Sequence, residues 1–217
     1  MIRRVIAPGS VSLTHELVRS RRKRLFDLVV ASAGLVLVSP LVLVACSAIV
    51  LDSGWPPLFA QERIGLAGRS FRMWKFRTMT RGAEHIRAPL LARNEAPFPV
   101  FKLRDDPRIT TVGRLLRRSS LDELPQLWNV VRGEMSLVGP RPPLPEEVAQ
   151  YDARARKRLA VRPGITCTWQ IERRRRSDIT FDEWIDMDLA YLDDWDLSRD
   201  VRILIATVGA VRSMRGE

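Results

Sequence analysis

Twenty-four consecutive residues, Leu28 to Leu51 (LVVASAGLVLVSPLVLVACSAIVL), carry no charge. As a helix they would extend about 36 Å, enough to cross a bilayer core of about 30 Å. A buried core helix of that length and uniformity would be unusual in a soluble chain of 217 residues. A basic lead before an apolar run is also the pattern of a signal peptide. The run is too long for one, however, and no small-residue cleavage site precedes Asp52.

A simple spanning helix meets two objections. Pro40, preceded by Ser39, sits mid-segment and removes a backbone hydrogen bond, which leaves two halves each too short to span alone. Lys and Arg also crowd both flanks: Arg19, Arg21, Arg22, Lys23 and Arg24 before the segment, and Arg63, Arg69, Arg72, Lys75, Arg77 and Arg81 after it. Cytoplasmic flanks are the basic ones, so a straight span would force one of these outward. A segment that enters the bilayer, breaks at Ser39-Pro40 and returns keeps both flanks on one side. The expected organisation is a basic cytosolic lead over 1–24, a re-entrant membrane helix over 25–52 and a catalytic domain over 53–217.

The remainder reads as a helix-rich α+β domain. Leu58 to Arg63 and Phe71 to Phe76, separated by Gly65 and Gly68, predict a short β-hairpin. Prolines 89, 97, 99 and 107 break any long helix between Thr80 and Pro107. A helix is expected from Ser119 or Ser120 to about Val131, ended by Gly133, then a rigid turn over Gly139 to Pro143. Another is expected around Glu146 to Val161. Nine acids between Asp178 and Asp200 suggest a helix with a solvated face. Val201, Leu204, Ile205, Val208 and Val211 recur at helical spacing in an amphipathic final helix, packed on the core or lying at a membrane surface.

The formal charge is +11, with 36 Lys and Arg against 25 Asp and Glu. That balance suits nucleic acid, anionic lipid or phosphorylated small molecules. No DNA- or RNA-binding motif is present and the aromatics do not interleave with the basic residues, so nucleic acid is not an expected partner. Two distant cysteines and two histidines argue against a disulfide framework, a zinc site and a Ser-His-Asp hydrolase. Neither a dinucleotide nor a P-loop fingerprint occurs. Carboxylate chemistry is what remains.

The densest constellation is Arg114, Arg117, Arg118, Ser119, Ser120, Leu121, Asp122, Glu123, Leu124 and Pro125. Ser120 and Glu123 fit a capping box, a purely structural role. Adjacent carboxylates at a helix start, beside three arginines, also fit a site for a phosphate and its metal. A carboxylate so placed can bind Mg²⁺ or attack phosphorus.

Five motifs in order extend this second reading: the basic lead with its Ser39-Pro40 break, Lys75-Phe76-Arg77-Thr78-Met79, Ser120 to Leu127 (SLDELPQL), Ser136 to Pro142 (SLVGPRP) and Arg162 to Thr166 (RPGIT). Through them the chain resembles the monotopic phosphoglycosyl transferases, bacterial sugar transferases, in their small catalytic-core form, over roughly residues 20 to 215. The resemblance implies a re-entrant helix and a catalytic domain at the cytoplasmic face of the bacterial inner membrane. It implies transfer of a sugar 1-phosphate from a UDP-sugar to a polyprenol phosphate, usually undecaprenyl phosphate, with release of UMP. Asp122 would be the nucleophile that forms a covalent phosphosugar intermediate in a ping-pong route. Glu123 would join it at Mg²⁺, and Arg117 would hold a substrate phosphate. Lys75, Arg77 and Arg141 are carried over as phosphate or nucleotide contacts. Membrane lipid is a further partner, and a homodimer is left open.

The chain departs from the family pattern where Glu172 to Arg175 replaces a glycine-containing loop with an insertion of arginines, and where Ala190 stands for an aromatic in Asp188-Leu189-Ala190-Tyr191. Cys167 also occupies a position where glycine is common. The arginine run, Arg173 to Arg176, reads as a solvated or lipid-facing loop. The competing reading of a membrane-anchored scaffold without activity is countered by the intact Asp122-Glu123 pair.

Overall fold

The computed structural model describes residues 20–83, 85–86, 88–95, 103, 105–173 and 179–212. Its first element, α1 (Arg21–Ser53), is 33 residues long. The Ser20 side chain caps it by accepting from the Lys23 amide. Ser39-Pro40 lies inside the element and does not interrupt it. Pro40 has no N–H to offer Val36, and the Ser39 hydroxyl donates to that Val36 carbonyl at 2.8 Å. The residue before the proline thus satisfies the acceptor that the proline orphans.

Lys23, Asp27, Ala31, Ala45 and Ile49 are buried, and Gly34, Val38 and Val42 between them are partly covered. Their spacing of three and four residues makes one stripe along the helix. Ala31 enters the main core with Val130, Met135 and Leu137. Ala45 and Ile49 pack with Phe76 and Leu116. The opposite face stays exposed and apolar: Val36 is 75% exposed, Leu37 82% and Leu51 89%. Between Leu28 and Leu51 the inner stripe is as apolar as the outer face, so that part of the sequence carries no sign of which side meets the domain.

The hairpin forms as predicted. Strands β1 (Leu58–Ile64) and β2 (Ser70–Phe76) pair antiparallel with Leu58 opposite Phe76 and Ile64 opposite Ser70. The free edge of β2 is covered by a side chain. Asn129, fully buried, accepts from the Trp74 amide at 3.0 Å and donates to the Arg72 carbonyl at 2.7 Å, doing for the strand what a neighbouring backbone would do. Asn129 belongs to α3 (Gln126–Arg132), which follows α2 (Thr111–Arg118).

A second pairing was not foreseen: β3 (Ser136–Val138) runs parallel to β4 (Gly164–Thr166). Three-residue strands are too short to leave a periodic signature. The two chains cross so closely that a Cβ on Gly164 would fall 2.1 Å from the Gly139 nitrogen, so the glycines of two motifs serve one contact.

The single helix expected over Glu146 to Val161 is instead α4 (Pro145–Val148), α5 (Ala153–Arg156) and a 3₁₀ turn, Lys157–Ala160, with the Asp152 side chain capping α5. After α6 (Thr168–Arg173), the acidic stretch makes α7 (Phe181–Asp193), opened by a Thr180/Glu183 capping box, and α8 (Leu197–Arg212). Its acids are not all solvated. Asp188 is buried against Arg158 at 2.5 Å, and Asp200 against Lys23. On α8 it is Ile203 that is buried, while Val201, Ile205 and Val208 of the predicted stripe are exposed. Arg174 to Asp178, most of the arginine run, lie outside the described residues, as do 1–19 of the basic lead.

The Lys23 ammonium, expected in a solvated lead, is buried instead. It donates to Asp200 Oδ2 at 2.6 Å, the Val138 carbonyl at 3.1 Å and the Tyr191 hydroxyl at 3.3 Å. Tyr191 donates to Asp200 Oδ1 at 2.7 Å and the Trp195 indole to Oδ2 at 3.2 Å. One network therefore joins α1, β3, α7 and α8. Arg24 beside it donates to the Val130 and Val131 carbonyls at 2.6 and 2.8 Å, closing the C-terminal end of α3.

Replacing Lys23 by Met strands the Asp200 carboxylate in the interior and is expected to cost about 3–5 kcal/mol. The Lys23→Met/Asp200→Leu double variant should recover much of it. Urea unfolding in detergent measures both, and equal loss in the single and double variants contradicts the pairing.

Candidate functional site

The carboxylate pair sits between two apolar anchors. Leu121 and Leu124 pack beside Phe76, Leu116, Ala45 and Ile49, which fixes the short 3₁₀ turn Leu121–Glu123 on α1. Asp122 is 9% exposed, and the Glu123 side chain 30%. Ser120 enters the turn with φ 56° and ψ 18°, a left-handed conformation that costs a non-glycine residue about 1 kcal/mol or more. That turn is why one helix from Ser120 to Val131 does not form, and α3 starts only at Gln126. Ser120 makes no side-chain cap, so the capping-box alternative does not occur.

Glu123 turns instead to β2, where Lys75 donates to its Oε1 at 2.7 Å. Thr78, just beyond that strand, lies against α2. A Cβ on Gly113 would come within 2.1 Å of the Thr78 carbonyl, and the same carbonyl accepts from the Thr110 amide at 3.1 Å. With the helix start held so close, Arg117 on its last turn reaches back, and its Nε donates to the Thr78 hydroxyl at 3.0 Å. Arg117 is also near enough to help lower the pKa of Asp106. Burial raises that carboxyl, but hydrogen bonds and charge from Arg108, 2.6 Å away, prevail.

Arg141 stands on the turn after β3 and pairs with the buried Glu147 at 3.2 Å. The turn is fixed by β1, since Arg63 donates to the Pro142 carbonyl at 3.0 Å and the Ile64 amide to that of Pro143 at 2.9 Å. Burial, followed by the like charge of Arg141, pushes the Arg63 guanidinium down to about 9, while Glu147 and Glu123 oppose that shift. Arg63 is therefore within electrostatic reach of both Arg141 and Glu123.

Arg77 is placed differently. Its Nη2 donates to Ser53 Oγ at 3.0 Å and to the Gly54 carbonyl, at the C-terminal end of α1.

The structure thus joins Lys75 to Glu123, the neighbour of Asp122, ties Arg117 to Thr78 just beyond the same strand, pairs Arg141 with Glu147, and puts Arg77 at the end of α1. Sequence reasoning did not single out Arg63 or Thr78 as positioning groups. Thr78 lay within a motif it had quoted. Arg63 ended a predicted strand, where an inward charge leaves no pattern. Ser39 and Pro40 lie mid-helix, exposed, and neither enters this cluster, whose anchors on α1 run from Val42 to Ile49.

A profile of bacterial sugar transferases matches residues 18–214. This chain belongs to that family. The galactosyl transferase CpsE of Streptococcus agalactiae is 42% identical over 190 residues, covering 87% of this chain and 42% of CpsE. The exopolysaccharide production protein ExoY of Sinorhizobium fredii is 39% identical over 198 residues, 89% of this chain and 87% of ExoY. The UDP-glucose:undecaprenyl-phosphate glucose-1-phosphate transferase of Caulobacter vibrioides is 41% identical over 193 residues, 86% and 68%. The chain thus spans less than half of CpsE but most of ExoY. For a sugar transferase of this family, the α1, hairpin and α2–α3 packing around Asp122 forms the candidate active site.

Thr78→Val keeps the shape of the side chain and removes the acceptor of Arg117. Sugar-transfer kcat/KM is expected to fall about tenfold, the equivalent of about 1.4 kcal/mol, with the thermal midpoint unmoved. Unchanged kcat/KM contradicts the role given to this contact.

Proposed function

We propose that the protein transfers a sugar 1-phosphate from a UDP-sugar to undecaprenyl phosphate, releasing UMP and yielding a polyprenyl-diphosphate sugar that begins bacterial glycan synthesis. The observation that carries this reading is the Lys75–Glu123 contact next to Asp122, on a turn packed against a long apolar helix, in a chain whose relatives carry names for this reaction.

Asp122 is the nucleophile. A carboxylate oxygen attacks the phosphorus bonded to the sugar; the bond from that phosphorus to the UMP oxygen breaks, and UMP leaves with the electron pair. A phosphate oxygen of undecaprenyl phosphate then attacks the same phosphorus, and the Asp122 carboxylate is regenerated. Two attacks at one residue spare the enzyme from holding two bulky anionic phosphates at once. Arg117, oriented by Thr78, holds a substrate phosphate, and Arg141 takes part in nucleotide or phosphate binding from the turn that Arg63 and Glu147 fix.

The donor set fits Mg²⁺. Two adjacent carboxylates, Asp122 and Glu123, are hard oxygen ligands, and the Lys75 ammonium at 2.7 Å from Glu123 marks a place that favours a cation. Among the described residues no group of three or more metal-ligating side chains gathers. Mg²⁺ uses one or two carboxylates and leaves its other positions to phosphates and water. Bound there, Mg²⁺ would neutralise charge developing on the diphosphate.

The packing of α1 supports a monotopic reading in which the helix, unbroken at Ser39-Pro40, lies along the domain. Ala31 and Ala45, both buried on one domain, are 14 residues apart, about 21 Å along a helix and short of a bilayer core of about 30 Å. Both flanks then lie on the cytoplasmic side of the inner membrane, with the exposed apolar face in lipid and the site near headgroup level. Basic residues near that surface add about 1 kcal/mol each on anionic lipid.

Asp122→Asn should abolish UMP release from UDP-sugars in the presence of undecaprenyl phosphate, whereas near-full turnover contradicts the assignment. EDTA should stop the wild-type reaction and Mg²⁺ restore it. Turnover that persists in EDTA contradicts the metal's role.

A further inference from the structure

The C-terminal end of α1 gathers more positive charge than capping it requires. Arg77 is 8% exposed. Only its Nη2 is used, on Ser53 and Gly54; among the described residues its Nε and Nη1, both buried, have no hydrogen-bond partner. A buried guanidinium that leaves N–H groups unmatched is costly unless an acceptor meets them. The second arginine makes the deficit larger. Arg81 is exposed and lies over Gly54, so that a Cβ built there would be 3.5 Å from its Nη2. Burial and then the charge of Arg81 push the Arg77 pKa down. Among the described residues no carboxylate forms an ion pair with either arginine, and the nearby Asp52 accepts from the Val112 amide at 3.2 Å. The surroundings are apolar and open: Leu51 is 89% exposed, Trp55 68%, and Leu58 and Phe59 more than a third. Tryptophan beside aliphatic residues at the end of an apolar helix belongs at the membrane–water boundary, where lipid phosphates lie.

We infer that Arg77 and Arg81 form a seat for a phosphate carried on a membrane lipid, at the C-terminal end of α1. The capping contacts hold the Arg77 plane, the exposed Arg81 side chain swings aside to admit the phosphate to the unmatched N–H groups, and Arg81 then closes from the solvent side. Guanidinium groups suit this task because they present several donors in one plane. The lipid part of the inference rests on the membrane reading of α1. The site itself does not depend on Asp122 chemistry.

The test is native mass spectrometry of the full chain in detergent, titrated separately with undecaprenyl phosphate, phosphatidylglycerol and inorganic phosphate. Arg81→Gln carries it, since an exposed residue can change without loss of the fold; an unchanged thermal midpoint checks this. Arg77→Lys keeps the charge and one capping bond and should weaken retention by a smaller factor. Lipid retention by Arg81→Gln is expected to fall about tenfold, the loss of one charge-assisted bond. A fall for undecaprenyl phosphate alone assigns the seat to the acceptor, and a fall for both lipids assigns it to headgroups in general. Wild-type retention in Arg81→Gln overturns the inference, as does inorganic phosphate binding as tightly as the lipids. Because no turnover is read, loss of UMP release in another experiment leaves this result standing.

Discussion

The fold depends on an apolar helix being held along one side by the domain it precedes. Burying the Lys23 ammonium and the Asp200 carboxylate costs several kcal/mol per ion before their attraction at 2.6 Å is counted. Such a pair persists because every partner is supplied: Tyr191, Trp195 and the Val138 carbonyl complete its shell. The network sets the rotation of α1 about its axis. With Lys23 inward, Ala31, Gly34, Ala45 and Ile49 follow on the same side, and small residues at three of these positions let the domain approach closely.

The site follows from that rotation. Ala45 and Ile49 form the floor on which Leu121 and Leu124 rest, and the turn between those leucines lifts Asp122 and Glu123 toward β2. Two close backbone approaches then place the cations. Gly113 lets α2 lie on Thr78, so Arg117 arrives beside that strand end, and Gly139 with Gly164 sets the turn that bears Arg141. Charge balance differs: Glu123 has Lys75, Arg141 has Glu147, and among the described residues Arg77 has only the carbonyl and hydroxyl at the end of α1.

Much of this was legible in the residues. The hairpin followed from alternation and its glycines, the long helix from 24 uncharged residues, and the candidate site from the order of its motifs. What was hidden shares a physical cause: the partner lay far away in sequence. Lys23 looked like part of a solvated basic run, but its partner is 177 residues on. Asp188 and Asp200 looked like a solvated acidic face, and each is matched by a distant cation. Ser120 resembled a helix cap; its left-handed backbone is imposed by leucines packing on α1, a tertiary effect that local propensity does not register. The three-residue parallel strands depend on a backbone crossing and have no periodicity to read.

The central claim is that α1 is held at both ends by one domain on one side of a membrane. Single cysteines placed at Arg22, Leu37 and Trp55, in a chain with Cys46 and Cys167 replaced by Ala, test it in sealed inverted vesicles and in intact cells with a membrane-impermeant thiol reagent. The account predicts labelling of positions 22 and 55 in inverted vesicles only, and protection of position 37 in both. Labelling of positions 22 and 55 from opposite sides would mean that the helix crosses the bilayer, and the account would be wrong.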